Sequence, residues 1–482
     1  MEPTATAPAF SDDLDLRSIL LQSRGLPVRE RTAAYTRWIT AVRDRGESLY
    51  HRVVTSAIDR TVTVLDERTG ETREMLMFGS NNYLGLTAHP YVVERVRDAV
   101  ALWGAGIGGA PMLSGYTRLH RDLEERLAAF KGTETAVLYN SGYGTNVGLL
   151  SVLVDRRDVA YCDERSHAST FDGVSMGRGR AVQFAHNDAD DLVRHLDAHA
   201  EKHPGGDAFA CLCGVYSMDG DLAPLGELVP AARSRGAFVV VDDAHGLGVL
   251  GRQGRGAADR AGVADECDVL MGTFSKVFGV TGGAACTSHD VAGYLRNFSR
   301  ANVFSASLSP ATVATVSACL DLLEADEAPL DRLHDNVAYF VGRLREHGFD
   351  VHSESAIVPV AVPADMSVRR INKYMHDHGV FCNAVEYPGV AIGRERLRFS
   401  VMAAHTRDDL DRVVGTVADA WRDPSAEREA PPARPRPETV EAARERPAGF
   451  ADQARRAWPT AAGSPTAAPG VRAGQGVAAR AD

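Results

Sequence analysis

The feature that most constrains this chain is a succession of short, unbroken apolar runs, each reached through a helical or loop stretch. Thr135–Tyr139 comes first, followed by DVAYC (158–162), AFACLCGVY (208–216), AFVVVDDAH (237–245) and CDVLMGTFSK (267–276). Strands with no apolar–polar alternation are buried on both faces, as when helices cover both sides of a parallel sheet. Just upstream, Leu119, Leu123, Leu127 and Phe130 recur at helical spacing. The expected fold class is therefore α/β, with a large, mostly parallel sheet. After about residue 310 the rhythm changes to a smaller α+β unit. It closes on LRFSVMAAHT (397–406) and a helix-like TRDDLDRVVGTVADAW.

At 482 residues, 44% of them hydrophobic, the chain suits one large and one smaller domain with a real core. Residues 1 to about 15 are polar, and Leu16 to about Glu47 has a mixed helical pattern. VTVLDERTGETREMLMF (62–78) reads as two strands about a turn at Glu67-Arg68-Thr69-Gly70. The expected division is an N-terminal extension and arm (1–75), a large domain (76–310) and a small C-terminal domain (311–422). An Ala/Pro/Arg-rich tail (423–482) has almost no large apolar residues with which to offset its ordering entropy, and is expected to be disordered.

The formal net charge of −11 argues against a nucleic-acid binder, which needs a basic face. The seven cysteines show no CxxC pair and no disulfide framework, so they are expected to pack as small hydrophobes, with no metal site. No basic segment leads an apolar core at the start, and no run approaches the roughly 18–20 apolar residues that span a bilayer. A cytoplasmic location without a membrane span is the expectation.

Lys276, in Gly272-Thr273-Phe274-Ser275-Lys276, follows a buried strand and precedes a glycine-rich stretch. A lysine at a strand end is by itself most often a surface amine. Its alternative is an amine whose pKa is lowered by burial, able to form an imine with a carbonyl cofactor. The neighbours shift the balance. Thr273 and Ser275 offer hydroxyls to a phosphate, and the glycines let backbone approach a flat ring. Thirty-four residues upstream, Asp242 ends another strand, with His245 three residues on. A pyridine cofactor such as pyridoxal phosphate (PLP) is a strong electron sink when an aspartate keeps its ring nitrogen protonated. A strand-end aspartate can equally cap the next turn. A third segment, Tyr139-Asn140-Ser141-Gly142-Tyr143-Gly144-Thr145-Asn146, follows a strand and opens a helix. There Gly142 and Tyr143 are the best backbone donors for an anion.

Together these motifs resemble the α-oxoamine synthases, fold-type-I PLP enzymes that include 8-amino-7-oxononanoate synthase, serine palmitoyltransferase, 2-amino-3-ketobutyrate CoA ligase and 5-aminolevulinate synthase. The matching text is FGSNNYLGLTAHP, GAGIGGAPMLSGYTRLHRDLEERLAAFKGTETAVLYNSGYGTN, DERSHAST, GVYSMDGDLAPL, VVVDDAHGLGVLG, GTFSKVFGVTGG, FSASLSP and LRFSVMAAHT. It covers roughly residues 75 to 420, in the family's order.

The resemblance implies a PLP-dependent acyltransferase that condenses an α-amino acid with an acyl thioester, on CoA or an acyl-carrier protein, losing CO2. It implies Lys276, His167, Asp242 and His245 as catalytic residues, with His167 stacked on the cofactor. Gly142, Tyr143, Ser217, Thr273 and Ser275 would complete the cofactor site. Ser305 would reach the phosphate of the other subunit of a homodimer. Asn81 would lie near the acyl substrate, and Arg398 would hold the amino-acid carboxylate through its planar fork. His186-Asn187-Asp188 after a strand, with GVYSMDGD, leans toward the serine palmitoyltransferase and oxononanoate synthase branches. One departure is informative. Ala110-Pro111 stands where aminolevulinate synthases carry Thr-Arg, which argues against succinyl-CoA specificity. An aminotransferase of the same fold is the enzymatic rival. A PLP-binding transcription regulator would need a basic DNA-reading module that the chain lacks.

Overall fold

The computed structural model describes residues 16–426 apart from Leu49 and Arg68. The polar start and positions 427–482 of the expected tail lie outside the described residues. Residues Pro424–Ala426 still pack against the body, Ala426 being buried and its carbonyl accepting from Ser367 N at 2.8 Å.

Two helices, Leu16–Gln22 and Val28–Asp44, precede a short antiparallel meander of β1 (Val53–Val54), β2 (Thr61–Leu65) and β3 (Thr72–Met77). The β2–β3 turn falls where its sequence places it, with Gly70 at φ +75°, a value glycine adopts without steric cost.

The large sheet has seven strands: β4 (Thr135–Tyr139), β5 (Val159–Asp163), β6 (Arg180–Phe184), β7 (Ala208–Cys213), β8 (Phe238–Asp242), β9 (Val269–Thr273) and β10 (Gly283–Thr287). Their spatial order is β4-β10-β9-β8-β7-β5-β6. The five apolar runs are all strands here, buried almost throughout. Pairing is parallel from β6 through β9, whereas β10 runs antiparallel to both β9 and β4. Among the covering helices, Pro90–Trp103 packs on Pro310–Ala325 and Gly142–Leu153 on Ala168–Met176. The parallel strands β5, β7, β8 and β9 point their C-terminal ends at one edge, where open α/β sheets place their ligands.

The C-terminal part carries a three-stranded antiparallel sheet in which β14 (Arg396–Ser400) lies between β11 (Ile357–Ala361) and β13 (Asn383–Val385). The short β12 (Val380–Phe381) joins β3 in parallel, so the N-terminal meander and the C-terminal part share a sheet. Among the described residues no helix is long and apolar enough to cross a membrane. None of their His, Cys, Asp and Glu side chains converge in threes as metal ligands.

Candidate active site

A cavity of about 250 Å³ opens at the strand ends, bounded by Gly142, His167, Ser217, Asp242, His245 and Lys276 among others. They come from the connections that follow successive strands. His167 follows β5, Ser217 follows β7, Asp242 ends β8, and Thr273 ends β9 three residues before Lys276. Nine of the sequence candidates line it, Gly142, Tyr143, His167, Ser217, Asp242, His245, Thr273, Ser275 and Lys276, and Arg398 is hydrogen-bonded to its rim through Ser217 O at 2.7 Å.

Lys276 is half-buried on the cavity wall. Loss of water around its ammonium, with a further push from the Arg398 charge, outweighs the pull of Asp242 and lowers its pKa to about 8. Its amine is therefore partly neutral near physiological pH, as a nucleophile or proton acceptor requires.

Asp242 is held by neutral donors. Asn146 Nδ2 donates to one oxygen at 2.6 Å, and Ala244 N caps the other at 3.1 Å. The turn-capping role weighed from the sequence is thus real and uses only one oxygen. The second Asn146 hydrogen goes to Ser169 Oγ at 2.9 Å, and Ser169 Oγ lies 2.7 Å from His167 Nδ1. Ser169 N also donates to that nitrogen, at 3.3 Å. Nδ1 is therefore the acceptor, and the imidazole keeps its proton on Nε2. Burial lowers the pKa of His167, so the ring stays neutral.

His245 follows Asp242 on a tight series of turns rather than the helical turn that the spacing suggests. Burial, then the charges of Lys276 and Arg398, hold it well below the usual histidine range. Its Nδ1 meets Tyr83 Oη at 2.8 Å, and Tyr83 Oη donates to Asn81 Oδ1 at 3.1 Å. Asn81 Oδ1 also receives both terminal nitrogens of Arg398, at 3.3 and 3.2 Å. Asn81 thus sits against the Arg398 guanidinium.

At one end of the cavity a helix start meets a hydroxyl-bearing loop. The helix Gly142–Leu153 starts there, its Ser141 cap taking Gly144 N at 2.9 Å and leaving the Gly142 and Tyr143 N–H groups foremost. Thr273 Oγ1 and Ser275 Oγ lie 2.9 Å apart on the facing loop. A Cβ on Gly142 would come within 2.6 Å of Thr273 Cβ, so only glycine lets the helix start this close. Amine, buried carboxylate, neutral imidazole, paired hydroxyls and a helix N-terminus together fit the aldehyde, ring nitrogen and phosphate of PLP.

Ser305 stands apart. It is half-buried in a shallow cleft with Pro111, Tyr116 and Asn140, outside the cavity lining. Sequence reasoning missed the roles of Asn146, Ser169 and Tyr83. Asn146 was visible only as the end of a glycine loop, and nothing local marks its partners 23 and 96 residues away.

A family model described as aminotransferase class I and II matches residues 73–417. The chain is 38% identical to a serine palmitoyltransferase of Bacteriovorax stolpii over 380 residues, 79% of this chain and 89% of that protein. It is 41% identical to an 8-amino-7-oxononanoate synthase of Geobacter sulfurreducens over 377 residues, 78% and 95% of the two chains. A solved serine palmitoyltransferase from S. paucimobilis with bound PLP–myriocin superposes with a TM-score of 0.74 at 31% identity, covering 85% of this chain and 99% of that one.

Proposed function

Because the chain belongs to the α-oxoamine synthase family of PLP-dependent enzymes, we propose the following division of labour among its residues. The reaction is a decarboxylative condensation of an α-amino acid with an acyl thioester, releasing CO2 and a thiol. Bound PLP supplies an electron sink that stabilises negative charge on the amino-acid α-carbon.

Lys276 would hold the cofactor, and its free amine takes the α-proton on Nζ and later returns one to the product. Its place on one cavity wall with Asp242, His167 and His245 is the observation that carries this assignment, and a pKa lowered to about 8 keeps a neutral form within reach. Asp242 would hold the protonated ring nitrogen. Its two oxygens are held in place by Asn146 and Ala244. His167 presents a neutral face to the ring and Nε2–H to the substrate. Arg398, buried and anchored through Nε to Ser217 O, would exchange the Asn81 contact of its fork for the amino-acid carboxylate. Gly142, Tyr143, Thr273 and Ser275 cradle the phosphate. Ser217 and His245 would hold the ring hydroxyl, and Asn81 would border the acyl side.

The active unit in this scheme is a homodimer. Leu113 and Phe304 are 84% and 74% exposed, with Met112 and Tyr116 exposed beside them. Burying such apolar side chains against a second copy removes a patch that a monomer would leave in water. Ser305, next to Phe304 and away from its own cavity, is then free to serve the other subunit's phosphate.

The test is a matrix of amino acids against acyl thioesters, offered on CoA and on carrier protein, following thiol and CO2 together. Equimolar release of both with one pair supports the proposal. Transfer of an amino group to a keto acid with no thioester present would replace it with the aminotransferase alternative.

A further inference from the structure

We propose that His186, which no reaction step uses, is a positioning residue: it ties the loop carrying His167 to the loop carrying Ser217. The inference rests on the proposed roles of those two loops. His186 follows β6, and its ring spans two carboxylates. Nδ1 lies 3.0 Å from Asp163 Oδ1, and Nε2 lies 2.7 Å from Asp221 Oδ2. Asp163, fully buried at the end of β5, also accepts Arg165 N and Asn187 N, each at 2.8 Å. It thereby caps the turn that leads into His167.

Asp221 closes the other loop. Its carbonyl accepts Tyr216 N at 3.0 Å, and Gly220 N donates to Tyr216 O at 2.8 Å. Inside that turn, Ser217 O receives Arg398 Nε, so the turn's shape sets where Arg398 is anchored. Asn187 strengthens the tie from an uncommon backbone position, φ +56°, where asparagine is tolerated best. From there its Nδ2 reaches Asp221 Oδ2 at 3.2 Å and Leu222 O at 3.1 Å.

The charge state follows from this geometry. A ring with a carboxylate at each nitrogen satisfies both only when both nitrogens carry protons. Against the desolvation that would lower it, the hydrogen bonds to Asp163 and Asp221 push His186 up to about 9. The groups facing its ring are those two carboxylates and the Tyr216 ring, which meets it edge-on at 4.5 Å. The other Asp221 oxygen is buried without a hydrogen-bond partner. Among the described residues, His186 is the cation that holds this carboxylate in ion-pair contact.

The experiment compares the parent with His186→Gln and Asp221→Asn by two readouts. Hydrogen exchange needs no turnover: segments 165–169 and 215–222 should exchange at least tenfold faster in both variants, with β14 unchanged. In steady-state kinetics, the amino-acid KM should rise at least fivefold while the thioester KM stays within twofold. Mere loss of folded enzyme would lower kcat and leave both KM values alone. Parent-like exchange in the two loops, or a fall in kcat with both KM values unchanged, would overturn the positioning role. Should His186→Gln not fold, Asp221→Asn, altered at a partly exposed side chain, carries the same test. A parent that releases no thiol with any substrate pair would sink the proposed reaction instead, and the exchange readout would still decide the clamp.

Discussion

Adjacent aspartates at the end of β8 serve two lysines in opposite ways. Asp243 is fully buried and pairs with Lys131 at 3.1 Å, and both of its oxygens accept from Ala257 N. Cβ atoms on Gly214, Gly246 and Gly256 would come within 2.5, 2.1 and 1.7 Å of its oxygens, so the carboxylate is caged by glycines. One residue earlier, Asp242 faces the opposite side of the strand, and its oxygens are taken by an amide and a backbone N–H. The amine near it, Lys276, loses water on burial, and this together with the Arg398 charge outweighs the pull of Asp242 and lowers its pKa to about 8. Burial alone therefore does not make a lysine reactive. A lysine with its own carboxylate becomes a strut, whereas one whose carboxylate is occupied by neutral donors keeps an available lone pair.

Substitutions can separate the two sites. Lys276→Ala should lower turnover by at least about 10⁴-fold with little change in melting temperature, since it removes both cofactor attachment and the base. Lys131→Ala should do the reverse. Stranding Asp243 in the interior costs about 3–5 kcal/mol in urea unfolding, while kcat per folded molecule stays within a few-fold. Asp242→Asn should retain PLP by absorbance yet lose about 10²–10³-fold in kcat, the usual cost of deleting one fixed charge at a reacting centre.

A smaller effect concerns pH. The Lys276 pKa lies below its unfolded value, so the neutral fraction grows as pH rises through about 8. The rate of PLP uptake by cofactor-free protein should climb with that midpoint and level off above it. A midpoint near the ordinary lysine value of about 10.4 would mean that the site does not depress the amine.

Much of this was legible because the strands that carry the site are the apolar runs themselves. β4, β5, β7, β8 and β9 announce themselves by unbroken hydrophobicity, and the candidate residues sit where those runs end. β6 and β10 did not. β6 is an edge strand with exposed and half-buried positions, so its composition is mixed. β10 reads Gly-Ala-Ala-Cys-Thr because the space is tight: a Cβ on Gly283 would meet Thr145 Oγ1 at 2.6 Å. Small residues there record close packing rather than apolar bulk. The Asp242–Asn146–Ser169–His167 chain and the Tyr83–Asn81–Arg398 contact were invisible for another reason. Tertiary packing alone brings their members together, across as many as 317 residues, and no local pattern encodes such pairs.

The most direct test of the central claim uses the chain's four lysines, Lys131, Lys202, Lys276 and Lys373. Protein loaded with PLP is reduced with borohydride, digested and mapped by mass spectrometry. The account predicts a single pyridoxyl label, on Lys276. A label on Lys131, Lys202 or Lys373 in its place, or no stable label at all, would contradict it.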